Sequence, residues 1–344
     1  MFASTDPLIK DVLLAAAAFG VAFAVAMGST PGIIKAAIRF NLVDKPDGKL
    51  KNQREPVAYL GGLAIALGVL AGIGLTYEFN QEILAILLSA AVVLVLGLID
   101  DIGALSPYAK LAGQLLAVSV LIKAGVMIKL VFLPTWAAVP LTVLWLVGMA
   151  NSFNLIDIMD GLSSGVGAIA AIWLAVIALC APDPIPSTAY LACALAGGLL
   201  GFRRYNAHPA KIYMGDTGSL FTGFLLGALA MANHYTIEHR LGAVVPLLVL
   251  GVPLFDTLFV MYIRWRRGIP VMLGSPDHVA LRLRKWRLST VNTVRANMFA
   301  ATLLGALGVG VMMAPLTWAI GIIAGIAVIG VVLAAWLKTI DMSL

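Results

Sequence analysis

The side chains able to do chemistry in this 344-residue chain gather in a few short runs. Gly97-Leu98-Ile99-Asp100-Asp101 ends an apolar stretch with two adjacent carboxylates. Paired acids at the end of an apolar helix are costly, and a divalent cation or a facing set of Lys and Arg would offset them. A solvated acid pair at the interface is the plain alternative. Ser106-Pro107 then starts a helix, with Pro in its favoured first turn, and Lys110 and Gln114 share one face four residues apart. In Asn151-Ser152-Phe153-Asn154-Leu155-Ile156-Asp157-Ile158-Met159-Asp160-Gly161 the polar residues recur at i, i+3 and i+6. One helical face can carry Asn151, Asn154 and Asp157, and Asp160 extends the row. Amide and carboxylate oxygens suit Mg²⁺, which keeps several waters and shares substrate phosphates.

Two further runs add anion-binding character. In Asn206-Ala207-His208-Pro209-Ala210-Lys211-Ile212-Tyr213-Met214-Gly215-Asp216-Thr217-Gly218-Ser219, glycines flank Asp216 ahead of an apolar helix. They let backbone approach a ligand closely, and a helix N-terminus favours anions. Tyr213 can stack on a base. A capped helix start would also explain Asp216. The loop Asp277-His278-Val279-Ala280-Leu281-Arg282-Leu283-Arg284-Lys285-Trp286-Arg287 alternates apolar and charged residues, as an interfacial helix or a phosphate clamp would. Near the start of the chain, Asp44-Lys45-Pro46-Asp47-Gly48-Lys49 and Arg54-Glu55-Pro56 precede Gly61-Gly62. These cations can meet anionic headgroups or a phosphorylated substrate, or be ordinary cytoplasmic charge.

The elements that position these runs follow from composition. The chain is 61% hydrophobic and only 12% charged, with a mean hydropathy of +0.99. Soluble domains are about 45–50% apolar and about 25% charged, so this is a membrane protein. Its net charge of +6 does not point to nucleic acid. Runs of roughly 20 apolar residues centre near residues 18, 66, 91, 115, 142, 171, 195, 226, 252, 306 and 327. Lipid requires backbone groups to be satisfied internally, so these should be helices. The expected fold class is an all-α polytopic bundle of eleven spans. The first, near Leu13 to Gly28, lacks a preceding basic segment and reads as a retained span. With eleven spans, 19 of the 23 Lys and Arg fall on one side, which the positive-inside rule makes cytoplasmic. The N-terminus is then outside and the C-terminus inside. One membrane domain, 1–344, is expected, with 264–297 as its longest cytoplasmic loop. The acids sort to cytoplasmic span ends, whereas transporter sites favour the midplane. Cys180 and Cys193 lack metal-ligand spacing and read as packing residues.

Taken together, residues 44 to about 287 resemble the polyprenyl-phosphate N-acetylhexosamine-1-phosphate transferase family. The Asp-Asp pair, the Asn-x-x-Asn-x-x-Asp-x-x-Asp-Gly run and the Pro-Ala-Lys-x-x-Met-Gly-Asp-x-Gly-Ser run carry the resemblance, in family order. It implies transfer of a sugar-1-phosphate from a UDP-sugar to a polyprenyl phosphate at the cytoplasmic membrane, with Mg²⁺ (or Mn²⁺) held by Asn154 and Asp216. Asp100, Asp101, Asp157 and Asp216 form the implied catalytic set, with Asp100 and Asp101 facing the lipid phosphate and Lys110 holding phosphate. Uridine is expected near Asp160, Gly161 and Tyr213, and His278 and Arg282 over the diphosphate or sugar. Asn151, Asn206, Lys211 and Arg284 complete the implied substrate contacts, and a homodimer is compatible. Ala280 and Leu281 stand where many relatives carry His. That departure, with Leu60-Gly61-Gly62, favours an N-acetylglucosamine-type enzyme over a muramoyl-pentapeptide one. The Asp-Gly plus Ala-Arg run of CDP-alcohol phosphotransferases is missing.

Overall fold

The computed structural model describes residues 7–44, 56–75, 80–130, 133–236, 238–270 and 276–342. The basic first-loop residues at 45–55 lie outside these. The chain forms two compact units, Met1–His234 and Tyr235–Leu344.

The first unit contains α1 (Pro7–Arg39), β1 (Val43–Asp44), β2 (Val57–Ala58), α2 (Gly61–Leu75), α3 (Gln81–Gly103), α4 (Pro107–Lys123), α5 (Thr135–Ile156), α6 (Leu162–Cys180), α7 (Pro186–Asn206) and α8 (Gly215–Ala232). Start signals in the sequence are used as written. The Asn80 side chain accepts the Ile83 N–H at 2.8 Å to cap α3. Ser106 accepts that of Ala109 at 3.2 Å to cap α4, with Pro107 at its first position. α1 packs against α2 and α7 through an alanine stripe, Ala15, Ala18, Ala22 and Ala26, each 3% exposed or less. Small residues of this kind let membrane helices approach where no hydrophobic driving force separates lipid from protein. α8 is the axis of the unit. From Thr217 to Ala230 it is buried throughout, with α3 and α5 packed along it.

β1 and β2 pair antiparallel, Val43 opposite Ala58, and Ala58 bridges Ile212 in parallel. Tyr213 N–H donates to the Ala58 carbonyl at 2.8 Å, while Gly61 and Gly62 N–H donate to the carbonyls of Tyr213 and Met214 at 3.0 and 3.1 Å. The loop before α8 is thereby tied to the entry of α2.

The second unit contains a 3₁₀ turn (Arg240–Val244), α9 (Val245–Val249), α10 (Gly251–Arg266), α11 (Val279–Lys285), α12 (Thr290–Met313) and α13 (Leu316–Thr339). The stretch Arg240–Val249 meets α10 at a 78° bend. α11 lies inside the long basic loop, with Val279, Ala280 and Arg282 buried.

Each of the eleven expected centres falls within a helix: α1 to α8, α10, α12 and α13. Among the described residues, six helices are long and apolar enough to cross a membrane, or seven if the bent pair counts as one span. The others are shorter or more polar; α2 has 15 residues and α4 has 17. The chain is therefore an all-α, multi-pass membrane protein.

Candidate active site

The site is built on the first turn of α8. Gly215 opens that helix with φ +70°, and a β-carbon there would lie 2.5 Å from the Asp101 carboxylate, so both conformation and space require glycine. Asp101 reaches across from the end of α3. It accepts the Asp216 N–H at 2.8 Å, the Thr217 N–H at 3.0 Å and the Thr217 hydroxyl at 2.6 Å. These backbone donors would otherwise be orphans of a helix start, and an anion is favoured at that end of the dipole. Asp101 is thus the cap of α8, supplied from another helix. The close approach depends on Gly97, where a β-carbon would meet the Asp216 carbonyl at 2.5 Å.

Its neighbour Asp100 faces elsewhere. Lys110 Nζ lies 2.5 Å from Asp100 Oδ2 and 2.6 Å from Asp216 Oδ2, a single ammonium between two carboxylates. Asp100 Oδ1 also accepts the Leu105 N–H at 2.6 Å, in the turn where Ala104 closes α3 with φ 50°. The other Asp216 oxygen accepts from Asn154 Nδ2 at 2.9 Å, and that amide also donates to Ser219 Oγ at 3.0 Å. One turn back, Asn151 Nδ2 donates to Gln114 Oε1 at 2.8 Å. The faces expected for Lys110 with Gln114, and for Asn151 with Asn154, therefore meet each other.

The expected row from Asn151 to Asp160 needs correction. α5 ends at Ile156, with Asp157 at its C-cap and Asp160 in the following turn. Asp157 still faces the cluster. Its carboxyl is pushed up to about 8, first by burial and then by the charges of Asp216, Asp101 and Asp160. Asp160 instead braces the 207–210 segment: its Oδ2 lies 2.7 Å from His208 Nδ1 and accepts the Ala210 N–H at 3.1 Å.

The wall beside the cluster holds the residues expected near uridine. Gly161 has φ +75°, and Arg203 Nε donates to its carbonyl at 3.3 Å. Asn206, expected at the substrate, is 2% exposed. It accepts the Gly161 N–H and the Ser164 hydroxyl at 3.1 and 2.9 Å and donates to the Ile212 carbonyl at 3.0 Å. It staples the turn before α6 to the loop before α8. Lys211 is exposed. Tyr213 is partly buried, its hydroxyl pushed up to about 12 by burial and by the acids Asp160, Asp44 and Asp157. Its ring lies 6.1 Å from that of Tyr59. The Tyr59 hydroxyl is also held above the usual phenol range, by burial first and by its hydrogen bond with Asp44.

In the second unit, His278 Nδ1 lies 2.7 Å from Asp256 Oδ2, and Asp256 Oδ1 accepts the Val279 N–H at 2.7 Å. Arg282, expected over the diphosphate, is 1% exposed. It donates to Asp277 Oδ1 at 2.7 Å and to the Leu337 and Ile340 carbonyls at 3.0 and 2.9 Å, with its guanidinium 5.3 Å from the Phe259 ring centre. Arg282 thus braces α11 against the end of α13. Arg284 is exposed on α11.

The structure thus brings Asp100, Asp101, Lys110, Asn151, Asn154, Asp157 and Asp216 together, with Asp160, Gly161, Asn206, Lys211 and Tyr213 on the adjoining wall. Sequence reasoning assigned no role to Thr217, Ser219 or Asp256. The first two stand in the quoted Gly-Asp-Thr-Gly-Ser run, and their hydroxyls were the available signal. Among the described residues no three acids or histidines close into a ready metal cage. The donor chemistry nonetheless fits Mg²⁺, which binds through one or two carboxylates plus waters and substrate phosphates. Lys110 meets two of the carboxylates, Asp100 and Asp216. The Asn154 amide N–H groups serve Asp216 and Ser219, and among the described residues its Oδ1 has no hydrogen-bond donor.

An acid cluster at helix ends inside a multi-pass bundle suits the handling of phosphate groups beside a cation, and comparison with known proteins places the chain in a class of membrane transferases. Residues 83–234 match the family described as glycosyl transferase family 4. The chain is 35% identical over 281 residues to a probable undecaprenyl-phosphate N-acetylglucosaminyl 1-phosphate transferase of Bacillus subtilis, covering 79% of this chain and 78% of that one. A decaprenyl-phosphate N-acetylglucosaminephosphotransferase of Mycobacterium leprae is 31% identical over 286 residues, 69% of this chain and 71% of its own. A phospho-N-acetylmuramoyl-pentapeptide-transferase of Heliobacterium modesticaldum is 32% identical over 323 residues, 86% of this chain and 97% of its own. The chain belongs to glycosyl transferase family 4, the polyprenyl-phosphate N-acetylhexosamine-1-phosphate transferases.

Proposed function

We propose that this protein transfers N-acetylglucosamine-1-phosphate from its UDP-sugar to a polyprenyl phosphate, releasing UMP, as the first membrane step of a surface glycan. The single observation that carries the reading is Lys110 held between Asp100 and Asp216 at the start of α8. The name of the Bacillus subtilis relative and the histidine-poor loop support this donor. In the reaction a lipid phosphate oxygen bonds to the sugar-bearing phosphorus, and the bond to the bridging oxygen breaks, leaving that oxygen on UMP.

Both reactants are anionic, so positioning and charge neutralisation dominate the barrier. Lys110 supplies a fixed positive charge where the two phosphates meet. Asp216 and Asn154 Oδ1 would hold Mg²⁺, which would supply charge neutralisation for the diphosphate and the leaving UMP. Asp101 keeps the first turn of α8 in place. Asp100, which orients Lys110, faces the lipid phosphate. A phosphate monoester with a second pKa of about 6 is largely ionised at neutral pH, so no protein base is required. Tyr213, Gly161 and Asp160 form the wall for uridine.

The reading includes eleven crossings of the inner membrane, with the N-terminus outside and the acid cluster at the cytoplasmic face, on the strength of the 19-of-23 charge bias. The test is UMP release by the purified protein with undecaprenyl phosphate and Mg²⁺, comparing UDP-N-acetylglucosamine with UDP-N-acetylmuramoyl-pentapeptide. Release with the first donor alone supports the proposal. Release with the second alone moves the enzyme to peptidoglycan synthesis, and no release across a panel of UDP-N-acetylhexosamines sinks it.

A further inference from the structure

The second unit holds a groove of about 600 Å³ between the ends of α11 and α13, lined chiefly by Lys285, Trp286, Arg287, Trp336, Ile340 and Asp341. Trp286 and Trp336 meet edge to face, with ring centres 5.0 Å apart, and Trp286 is 53% exposed. Indoles are at home at the headgroup level of a bilayer, with an apolar body and a polar N–H. Arg287 closes α11 in the left-handed region at φ 83°. Its N–H donates to the Arg284 carbonyl at 3.0 Å, and that of Leu288 to Leu283 at 3.1 Å. Glycine ordinarily occupies this position of a helix end, so a strained arginine points to a use for its side chain. The guanidinium is exposed and has no hydrogen bond or ion pair among the described residues, whereas Lys285 and Asp341 are each engaged within the fold.

α13 supplies the other half. Only 6% of its apolar window is buried, and Ile329, Val331 and Val332, in the half nearer the groove, are 62–70% exposed. A helix that runs into the groove with its apolar side chains uncovered offers a track for acyl chains. The groove itself offers aromatic edges and one unpaired cation, which is the complement of an anionic headgroup.

We propose that this groove seats the headgroup of an anionic phospholipid, with Arg287 on the phosphate, the two indoles beside the glycerol and the acyl chains along α13. The test is lipid retention by the full chain in detergent, read by native mass spectrometry against dioleoyl phosphatidylglycerol and dioleoyl phosphatidylcholine. Phosphatidylglycerol should be retained at least about tenfold more strongly, and Arg287→Gln should lower it to the phosphatidylcholine level. Arg287→Gly suits the left-handed turn, so it should keep or raise the unfolding temperature while losing the preference. Equal retention of both lipids by the wild type, or undiminished preference in both variants, overturns the proposal. So does displacement by equimolar inorganic phosphate, which would make this a phosphate site and not a lipid site. The readout is binding and not turnover, so its failure is distinct from failure of the transferase reading.

Discussion

Replacing Asp101 by Ala tests whether the two adjacent aspartates have different tasks. The substitution removes three hydrogen bonds to one carboxylate, at 2.8, 3.0 and 2.6 Å. It leaves the first turn of a buried helix without its cap. Hydrogen bonds to charged groups contribute roughly 1.5–3 kcal/mol each, and losing a helix cap costs about 0.5–2 kcal/mol. Water reaches this partly exposed turn and recovers some of that, so a loss of about 3–5 kcal/mol is expected. At about 2.1 cal/mol/K of unfolding entropy per residue, 344 residues give about 1.4 °C per kcal/mol, so the unfolding temperature should fall by about 4–7 °C. Asp101→Asn keeps one acceptor oxygen and should lose about half as much. Asp100→Asn disturbs a partly exposed ion pair worth about 1 kcal/mol or less, so it should melt close to wild type. Its turnover should still fall below about a tenth, or about 1.4 kcal/mol of barrier. The assay is thermal unfolding in detergent beside UMP release. An Asp101→Ala protein that melts within about 2 °C of wild type and has no turnover would refute the capping role and return Asp101 to the chemistry.

Three further outcomes follow from the same geometry. Lys110→Gln removes the ammonium between Asp100 and Asp216 and should lower kcat by about a hundredfold or more, equivalent to about 2.7 kcal/mol; steady-state UMP release checks it. Asp157 carries a carboxyl raised from 3.8 to about 8, so in the metal-free protein the folded state holds a proton that the unfolded state has lost across that window. Stability should therefore fall as pH rises from about 4 to about 8. Asp157→Asn should flatten that dependence, melting above wild type near neutral pH and level with it near pH 4 in chelator-treated samples. Gly97→Ala places a β-carbon 2.5 Å from the Asp216 carbonyl. It should cost about 1–3 kcal/mol of stability through overpacking and lower turnover by shifting α8, both read on the same preparation.

Much of this site was readable from spacing alone, because its partners lie on single helical faces. Lys110 with Gln114, and Asn151 with Asn154, needed only a period of 3.6 residues. Asp160 was misplaced because the i+3 pattern continues past the end of α5 and nothing before Gly161 marks the stop. The turn there is held by His208 and Ala210, some 50 residues away. The contrast between Asp100 and Asp101 was hidden for the same reason. Neighbours in sequence point to different partners, and those of Asp101 lie 115 and 116 residues on. Arg282 reads as a surface cation until the carbonyls of Leu337 and Ile340 enclose it. Hydropathy located eleven of the thirteen helices and missed the short α9 and α11, whose five and seven residues are too few for a window of span length.

Lys110 also bears on biogenesis. An acid cluster among membrane helices would repel itself during insertion unless a counter-ion arrived in time. Here the counter-ion is part of the polypeptide, 2.5 and 2.6 Å from its two carboxylates. The bundle can assemble before it meets a divalent ion, so the yield of folded protein should be indifferent to metal supply.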